Sequence, residues 1–433
     1  MSKHLIVISQ DAMVYEDLEY VKTLPAYSKV WPQCAFVNTL RAVYPTVTYP
    51  VHTSMRTGVY PDRHGVINNE QTILNEVTSK WVHMNDAVKA PDIFDAARAA
   101  GLSTAAVFWP VTGRHKSIDY LVNEYWPQEE SESTLDCFVH SGSSPQVMEK
   151  VVKKHAHIVD GRNRQHPYID LFINACACSI IREYKPNLLM IHPANIDAYR
   201  HQTGLFSPLV THGLHEIDGW FREIVAACQD AGIYDDTDFC IVSDHGQLNV
   251  RGILCPNVLL REAGLIEVDD AGAVTSYQAM GKSTALSMQI YLNDPGDRAL
   301  YDKVYRLLCA WRDEGVYGIE RVYTAKEAQE EEHLAGGFSF VLESNGIYTF
   351  GNDWRRPLVR PLKADDYRFG RATHGHHPDK GPQPCMFAFG PHIRPGAVLE
   401  RRPIVDTCPT FAKLLGLEMP DDMDGKIIAE ILR

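Results

Sequence analysis

No apolar run in this chain approaches the ~18 residues that a transmembrane helix requires, and no two cysteines stand at CxxC spacing. The first absence argues against a membrane span. The second concerns ten cysteines scattered singly through 433 residues, several with apolar neighbours, as in Phe239-Cys240-Ile241-Val242. That pattern reads as buried free thiols rather than disulfides or a zinc knuckle. Positive charge is also scarce. A net charge of −13 disfavours nucleic-acid polymers and anionic membranes as partners. It does not disfavour a small phosphate ester, because bound metal ions would reverse the field locally. No secretory leader is expected either, since Met1-Ser2-Lys3-His4 runs straight into Leu5-Ile6-Val7-Ile8 with no small-residue cleavage site behind it. The expected location is therefore cytoplasmic. There is no internal repeat and no long low-complexity linker.

What is present is a chain with 45% hydrophobic residues, enough for one large core with a subsidiary part. Short apolar runs alternate with amphipathic helical patterns. Strands are expected at Leu5–Ser9, Thr104–Phe108, Leu188–Ile191, Phe239–Ser243 and Met386–Gly390. Helices are expected at Ala90–Ala100, Gln146–His155, Tyr168–Tyr184, Leu214–Ala231 and Thr407–Leu415, the last stopped by Gly416. Continuous apolar strands separated by helices indicate an α/β fold with a mostly parallel central sheet flanked by helices. In such sheets ligands sit at the carboxyl ends of the strands. The stretch 253–371 differs, with a helix around Tyr301–Asp313 and β-like pieces at Phe338–Leu342 and Gly346–Phe350. It is expected to be a partly β inserted cap, leaving 1–252 and 372–433 as the catalytic core. A smaller insertion is expected at 113–164, which is polar and rich in Ser, Glu and His.

Four segments at predicted strand ends carry metal-type ligands. Asp11 follows Ile6-Val7-Ile8-Ser9-Gln10, where a lone Asp is commonly just a turn residue or cap. Asp197 and His201 follow the Leu188–Ile191 run and, four apart, face the same way on a helical turn, a spacing that a surface pair also shows. Asp244-His245-Gly246 ends a buried strand and is more specific, since Gly246 permits a sharp turn that aims both side chains into one site. Thr373-His374-Gly375 precedes Met386–Gly390. Asp11, Asp197, His201, Asp244, His245 and His374 together offer oxygen and nitrogen donors with no cysteine. That suits two divalent ions, zinc first, with manganese or iron as alternatives. The bland account, unrelated caps and surface histidines, fits any one segment better than it fits four.

Thr48 stands before Pro50 and an apparent helix, at the place of an N-cap. It can be a capping threonine and nothing more. It can also be a nucleophile, because a helix N-terminus favours an anionic phosphoryl group and a coordinated metal lowers a hydroxyl pKa.

With these residues in view, the chain resembles the type I phosphodiesterase/nucleotide pyrophosphatase family of the alkaline phosphatase superfamily. The resemblance is strongest over Tyr44–Asn69, YPTVTYPVHTSMRTGVYPDRHGVINN. It continues through Asp197–His201, Asp244-His245-Gly246 and Thr373-His374-Gly375, and the LLGLEMPDDMDG stretch near the C-terminus is similar to the closing helix and turn of the superfamily. It implies that Thr48 is the phosphorylated nucleophile and a metal ligand, with Asp11, Asp244 and His245 around the ion beside it. Asp197, His201 and His374 would hold the second ion, and Asn69 would bond a non-bridging phosphoryl oxygen. The implied reaction is hydrolysis of a small phosphodiester by two in-line displacements at ions about 4 Å apart. Tyr49 and Trp109 occupy positions that border the substrate's organic group in relatives, although ordinary packing of aromatics accounts for them equally well.

Val51 stands where nucleotide-cleaving relatives carry Asn, and Asn195 where a Pro is usual. Ala198-Tyr199-Arg200 is bulkier than the usual residues between Asp and His. These departures leave the donor set intact and touch the leaving-group preference. A phosphonoacetate-type hydrolase would place lysines near Trp109, and Ala105-Ala106-Val107-Phe108-Trp109-Pro110 has none. A sulfatase would need an oxidisable Cys or Ser at Thr48. A phosphomonoesterase stays open, as does a metal-stabilised binding module without turnover. Arg56, about two helical turns beyond Thr48, reads as structural rather than as a phosphate clamp.

Overall fold

Leu5-Ile6-Val7-Ile8 has no polar face to offer water, and the chain buries all four at the centre of an eight-stranded sheet. The computed structural model describes residues 3–129, 131–363 and 370–433. Across the sheet the strands run Val398–Pro403, Ala35–Arg41, Met386–Phe389, Thr237–Val242, His4–Ser9, Leu188–Ile191, Thr104–Val107 and Tyr120–Val122. Neighbours are parallel throughout, except that Met386–Phe389 runs against both strands beside it. The central strand feeds two cores by simple alternation. Ile6 and Ile8 face the long helices Tyr168–Tyr184 and Pro208–Ala231. Leu5 and Val7 face Thr48–Thr57 and Thr407–Leu415 on the other side.

Local chemistry explains where elements depart from their expected bounds. The helix expected from Leu214 starts at Pro208, because Ser207 caps it by accepting the Val210 N–H and Pro208 stands at its first position. The helix expected from Ala90 begins at Ile93, capped by Asp92, which accepts from the N–H groups of Phe94 and Asp95. Over Gln146–His155 the helix is interrupted by a π turn at Met148–Val152.

Four antiparallel strands, in the order Ala279–Ser283, Ser287–Leu292, Phe340–Ser344 and Ile319–Thr324, form a second sheet inside the 253–371 stretch. Helix Arg298–Glu314 packs Leu300, Val304, Leu308 and Trp311 against Met288, Ile290, Phe340 and Leu342. This unit meets the core beside His374: Leu286 N–H donates to the His374 carbonyl, and Ser287 Oγ to that of Gly375. Gly375 has φ +87°, and a Cβ there would lie 1.8 Å from the Thr284 carbonyl oxygen, so only glycine allows the contact. Within the 113–164 stretch, Tyr120–Val122 belongs to the main sheet as its edge strand rather than to an insertion; a three-residue strand among polar neighbours carries no periodic signal. Residues 130 and 364–369 of these two expected insertions lie outside the described residues.

Candidate active site

The parallel strands end on one rim, and the ligand-type residues stand there. Asp11 follows His4–Ser9, His192 follows Leu188–Ile191, and Asp244 and His245 follow Thr237–Val242. The short helix Asn195–Thr203 presents Asp197 and His201 from successive turns, with His201 Nε2 3.3 Å from Asp197 Oδ2. His374 arrives from the far end of the chain with Nε2 3.8 Å from Asp197 Oδ1, and its ring stacks 4.0 Å from that of His245. All six residues expected as ligands therefore converge. Among these six, two groups have donor atoms within 4.8 Å of one another: Asp11, Asp244 and His245, and Asp197, His245 and His374. His245 reaches both groups and lies between them.

The donor set fits divalent cations. Asp11 Oδ1, Asp244 Oδ2 and His245 Nδ1 are buried without a hydrogen-bond partner, an expensive arrangement unless something else binds them. Burial first, then repulsion from Asp244 and Asp197, pushes the Asp11 carboxyl well up. Asp244 is pushed up to about 7, by burial and then by Asp197. Two carboxylates in a dry site call for compensating positive charge. The imidazoles are equally suited. Burial holds His245 well below its usual range and brings His374 down to about 4, which leaves both neutral with a lone pair available.

Backbone contacts choose which nitrogen faces the site. His201 Nδ1 donates to the Ala372 carbonyl at 2.6 Å and His374 Nδ1 to that of Thr46 at 3.1 Å, so Nε2 of each is turned towards Asp197. His192 Nε2 donates to Asp11 Oδ2 at 3.1 Å. His52 Nδ1 donates to the Thr48 carbonyl at 2.9 Å, and its Nε2 accepts from Ser9 Oγ at 2.8 Å. Gln247 Nε2 donates to Asp197 Oδ1 at 2.5 Å. His192, His52 and Gln247 orient the carboxylates and the Thr48 turn. His192 stands directly after a strand, the same signal that singled out Asp11.

Thr48 is the first residue of helix Thr48–Thr57, and the N-cap is Val47, which makes no side-chain cap bond. The capping account of Thr48 therefore fails. Asn69 Oδ1 accepts the Tyr49 N–H at 2.8 Å in its place, and Thr48 Oγ1 lies 3.3 Å from His245 Nε2. With Oδ1 engaged, the Asn69 amide keeps its N–H donors for a ligand. Both residues line a cavity of about 650 Å³ with Asp11, Asp197, His201 and His374. Arg56 is fully buried and spent on Asp92, Asn85 Oδ1 and the Val111 carbonyl, so it is structural as expected.

The expected substrate aromatics need correction. Trp109 is fully buried in the core, edge-on to His52, and is not among the cavity-lining residues. Tyr49 is also fully buried, behind Trp81 with its ring edge-on to it at 5.2 Å. Neither ring lines the cavity, and the Tyr49 side chain meets it through its bond to Glu124, which does. The aromatics that do line the cavity are Trp81, Phe108, Trp126 and Tyr199. Trp81 and Trp126 meet at 79° with centroids 5.0 Å apart, and the Arg164 guanidinium lies 4.4 Å from the Trp126 ring and 5.6 Å from that of Trp81. Glu124, one of the lining residues, is pushed up to about 8 by burial against the opposing pull of Arg164. Glu124 and Trp126 follow the edge strand Tyr120–Val122, so strand-end position could have found them had that strand been legible.

Gly246 also works differently from expectation. Its φ is not positive; it is needed because the Pro382 carbonyl oxygen would lie 2.0 Å from a Cβ there.

The family model described as type I phosphodiesterase/nucleotide pyrophosphatase matches residues 5–337. Human ectonucleotide pyrophosphatase/phosphodiesterase family member 1 is 23% identical over 238 residues, covering 53% of this chain and 22% of that protein. Ectonucleotide pyrophosphatase/phosphodiesterase 1 of Saccharomyces cerevisiae is 24% identical over 365 residues, covering 81% of this chain and 44% of that protein. The chain thus spans less than half the length of these relatives. An inactive variant of murine ectonucleotide pyrophosphatase/phosphodiesterase 5, solved with AMP, superposes with a TM-score of 0.68 at 18% identity over the whole of both chains. The α/β fold is shared with it.

Proposed function

The chain belongs to the type I phosphodiesterase/nucleotide pyrophosphatase family, and on that premise we propose that it hydrolyses a small phosphodiester with Thr48 as nucleophile. The observation that carries this reading is the placement of Thr48. Its hydroxyl stands at the N-terminus of a ten-residue helix, 3.3 Å from His245 Nε2, in a cavity whose rim converges six oxygen and nitrogen donors.

Asp11, Asp244 and His245, with Thr48, would hold one divalent ion, and Asp197, His201 and His374 a second. Zinc is the first choice for these donors, with manganese or iron as alternatives. When bound, the ions supply Lewis acidity to the phosphoryl oxygens and lower the pKa of oxygen nucleophiles. The chain's own residues do the rest. The helix N-terminus favours the phosphoryl anion over Thr48, and the Asn69 amide donates to a non-bridging oxygen. Thr48 Oγ attacks phosphorus in line and the alcohol departs from the opposite apical position. Water then enters where the alcohol left and cleaves phospho-Thr48. Trp81 and Trp126 supply apolar faces for the organic group, and a cavity of about 650 Å³ suits a small ester rather than a polymer.

The test is a rate comparison with zinc or manganese added, on bis-p-nitrophenyl phosphate, p-nitrophenyl phosphate and phosphonoacetate, with wild type and Thr48→Ala. The expected result is preference for the diester, and loss of turnover with retained substrate binding in the variant. Faster turnover of the monoester or the phosphonate would replace the substrate while keeping the nucleophile. Turnover that survives Thr48→Ala would overturn the mechanism.

A further inference from the structure

His166 and Asp170 form a pair that the reaction above does not use. His166 Nδ1 and Asp170 Oδ2 are 2.6 Å apart. Asp170 is fully buried in the first turn of helix Tyr168–Tyr184, and its second oxygen accepts the Ala194 N–H at 2.8 Å. Ala194 is the N-cap residue of the helix that presents Asp197. One carboxylate therefore fixes both an imidazole and the start of the ligand-bearing turn. His166 and Asp170 both line the cavity that contains Thr48, Asn69 and Asp197. With Nδ1–H committed to Asp170, Nε2 is the nitrogen left for a ligand, which is how a carboxylate orients a catalytic imidazole.

Resting on the phosphodiesterase reading, we propose that His166, oriented by Asp170, passes its Nε2 proton to the departing alcohol and recovers one from the attacking water. In the first half Thr48 reacts as the alkoxide, its own proton having gone to solvent. The new bond joins Thr48 Oγ to phosphorus. The bond from phosphorus to the leaving oxygen breaks, its electron pair stays on that oxygen, and the His166 proton caps it as a neutral alcohol. In the second half water enters the vacated apical position. Its proton returns to His166, its oxygen bonds to phosphorus, and the Thr48–phosphorus electron pair returns to Oγ. The products are an alcohol and a phosphomonoester, with Thr48 and His166 restored.

The charges around His166 suit a proton donor. Burial opposes its charge, but Asp170 and then Asp197 outweigh that and the neighbouring Arg164, and its pKa lies above the usual imidazole value. Glu124 and His192 also feel its charge. The other cavity histidines have their N–H committed elsewhere: His192 to Asp11, His201 to the Ala372 carbonyl and His374 to the Thr46 carbonyl. In the ion assignment proposed above, Asp197 belongs to the set that does not include Thr48, and an in-line leaving group departs on the side opposite Thr48.

Leaving-group chemistry provides the test. Metal-replete wild type, His166→Asn, Asp170→Asn and Glu124→Gln are assayed on the p-nitrophenyl and ethyl esters of thymidine 5′-monophosphate. A nitrophenolate leaves unaided, whereas an ethoxide needs a proton. Expected for His166→Asn is a loss of roughly 10²-fold or more in kcat/KM on the ethyl ester, within the range of acid–base catalysis, and a near-normal kcat/KM on the nitrophenyl ester, since kcat/KM does not include hydrolysis of phospho-Thr48. Asp170→Asn should show a weaker loss of the same selectivity. Wild type alone provides a second readout: the basic limb of its kcat/KM profile should appear with the ethyl ester and be absent with the nitrophenyl ester. Equal losses on both esters, no loss, or a leaving-group-selective loss in Glu124→Gln instead would overturn the proposal. Failure of wild type on both esters would remove the phosphodiesterase reading itself.

Discussion

Replacing Gly246 by alanine adds one methyl group beside the site, and the structure places it 2.0 Å from the Pro382 carbonyl oxygen and 2.9 Å from its carbon. Neither partner is a side-chain end that can swing away, since both belong to the backbone. Restoring a tolerable contact requires the chains to part by about 1 Å, and overpacking of this kind costs about 1–3 kcal/mol, occasionally more. The displaced segment is the one carrying Asp244 and His245, and a misplacement of about 1 Å in catalytic geometry costs roughly 10²-fold in rate. Gly246→Ala should therefore melt several degrees below wild type and lose about 10²-fold in kcat/KM on the preferred diester with metal in excess. Gly219→Ala is the control. Gly219 lies within helix Pro208–Ala231, has no positive φ, and nothing stands within 4 Å of a Cβ there. The same change at that site should raise stability by about 0.5–1 kcal/mol through helix propensity. A Gly246→Ala protein with wild-type melting and rate would refute the reasoning, because it would show that the close approach sets nothing in the site.

Metal removal should destabilise the protein in a pH-dependent way. Asp244, pushed up to about 7, and Asp11, also raised, favour folding only while neutral, so the chelated protein should lose stability as pH rises through 7. Added zinc or manganese should then raise the melting temperature more at pH 8 than at pH 5.5, and an equal rise at both would count against the donor assignment. Asp92→Ala leaves the fully buried Arg56 without its carboxylate and should cost about 3–5 kcal/mol in chemical denaturation. Burial raises Asp92, but Arg56 and His115 outweigh it and hold it low; its contribution is therefore present above the usual carboxylate range, and the gap to wild type should close as acid takes pH below the folded value. Trp126→Ala should raise KM for an aromatic diester by roughly ten-fold, as lost stacking worth about 1–3 kcal/mol implies, with little change for a dialkyl diester.

The linear order of residues determined the central architecture and which candidate ligands reach one rim of it. Leu5–Ile8, Leu188–Ile191 and Phe239–Val242 are runs that only a sheet covered on both faces can bury, and a parallel sheet must place the residues after them on one rim. Asp11, Asp197, His201, Asp244 and His245 were legible as candidate ligands for that reason, and His374 from its place ahead of the strand Met386–Phe389. Segments whose role depends on what packs over them were not. Tyr49 and Trp109 are aromatic like Trp81 and Trp126 but are turned into the core rather than towards the cavity. Gly246 looked like a turn glycine until the Pro382 carbonyl, far along the chain, came to lie against it. Thr48 looked like a cap until Asn69 was found taking the Tyr49 N–H. His166 and Asp170 sit four residues apart in a stretch with no strand to announce them, and the helix start that buries Asp170 is what aims the pair at the cavity. Local pattern carries burial and periodicity because these act between neighbours along the chain. The direction of a side chain and the closeness of two backbones are set by contacts between residues hundreds of positions apart, which only the tertiary structure decided.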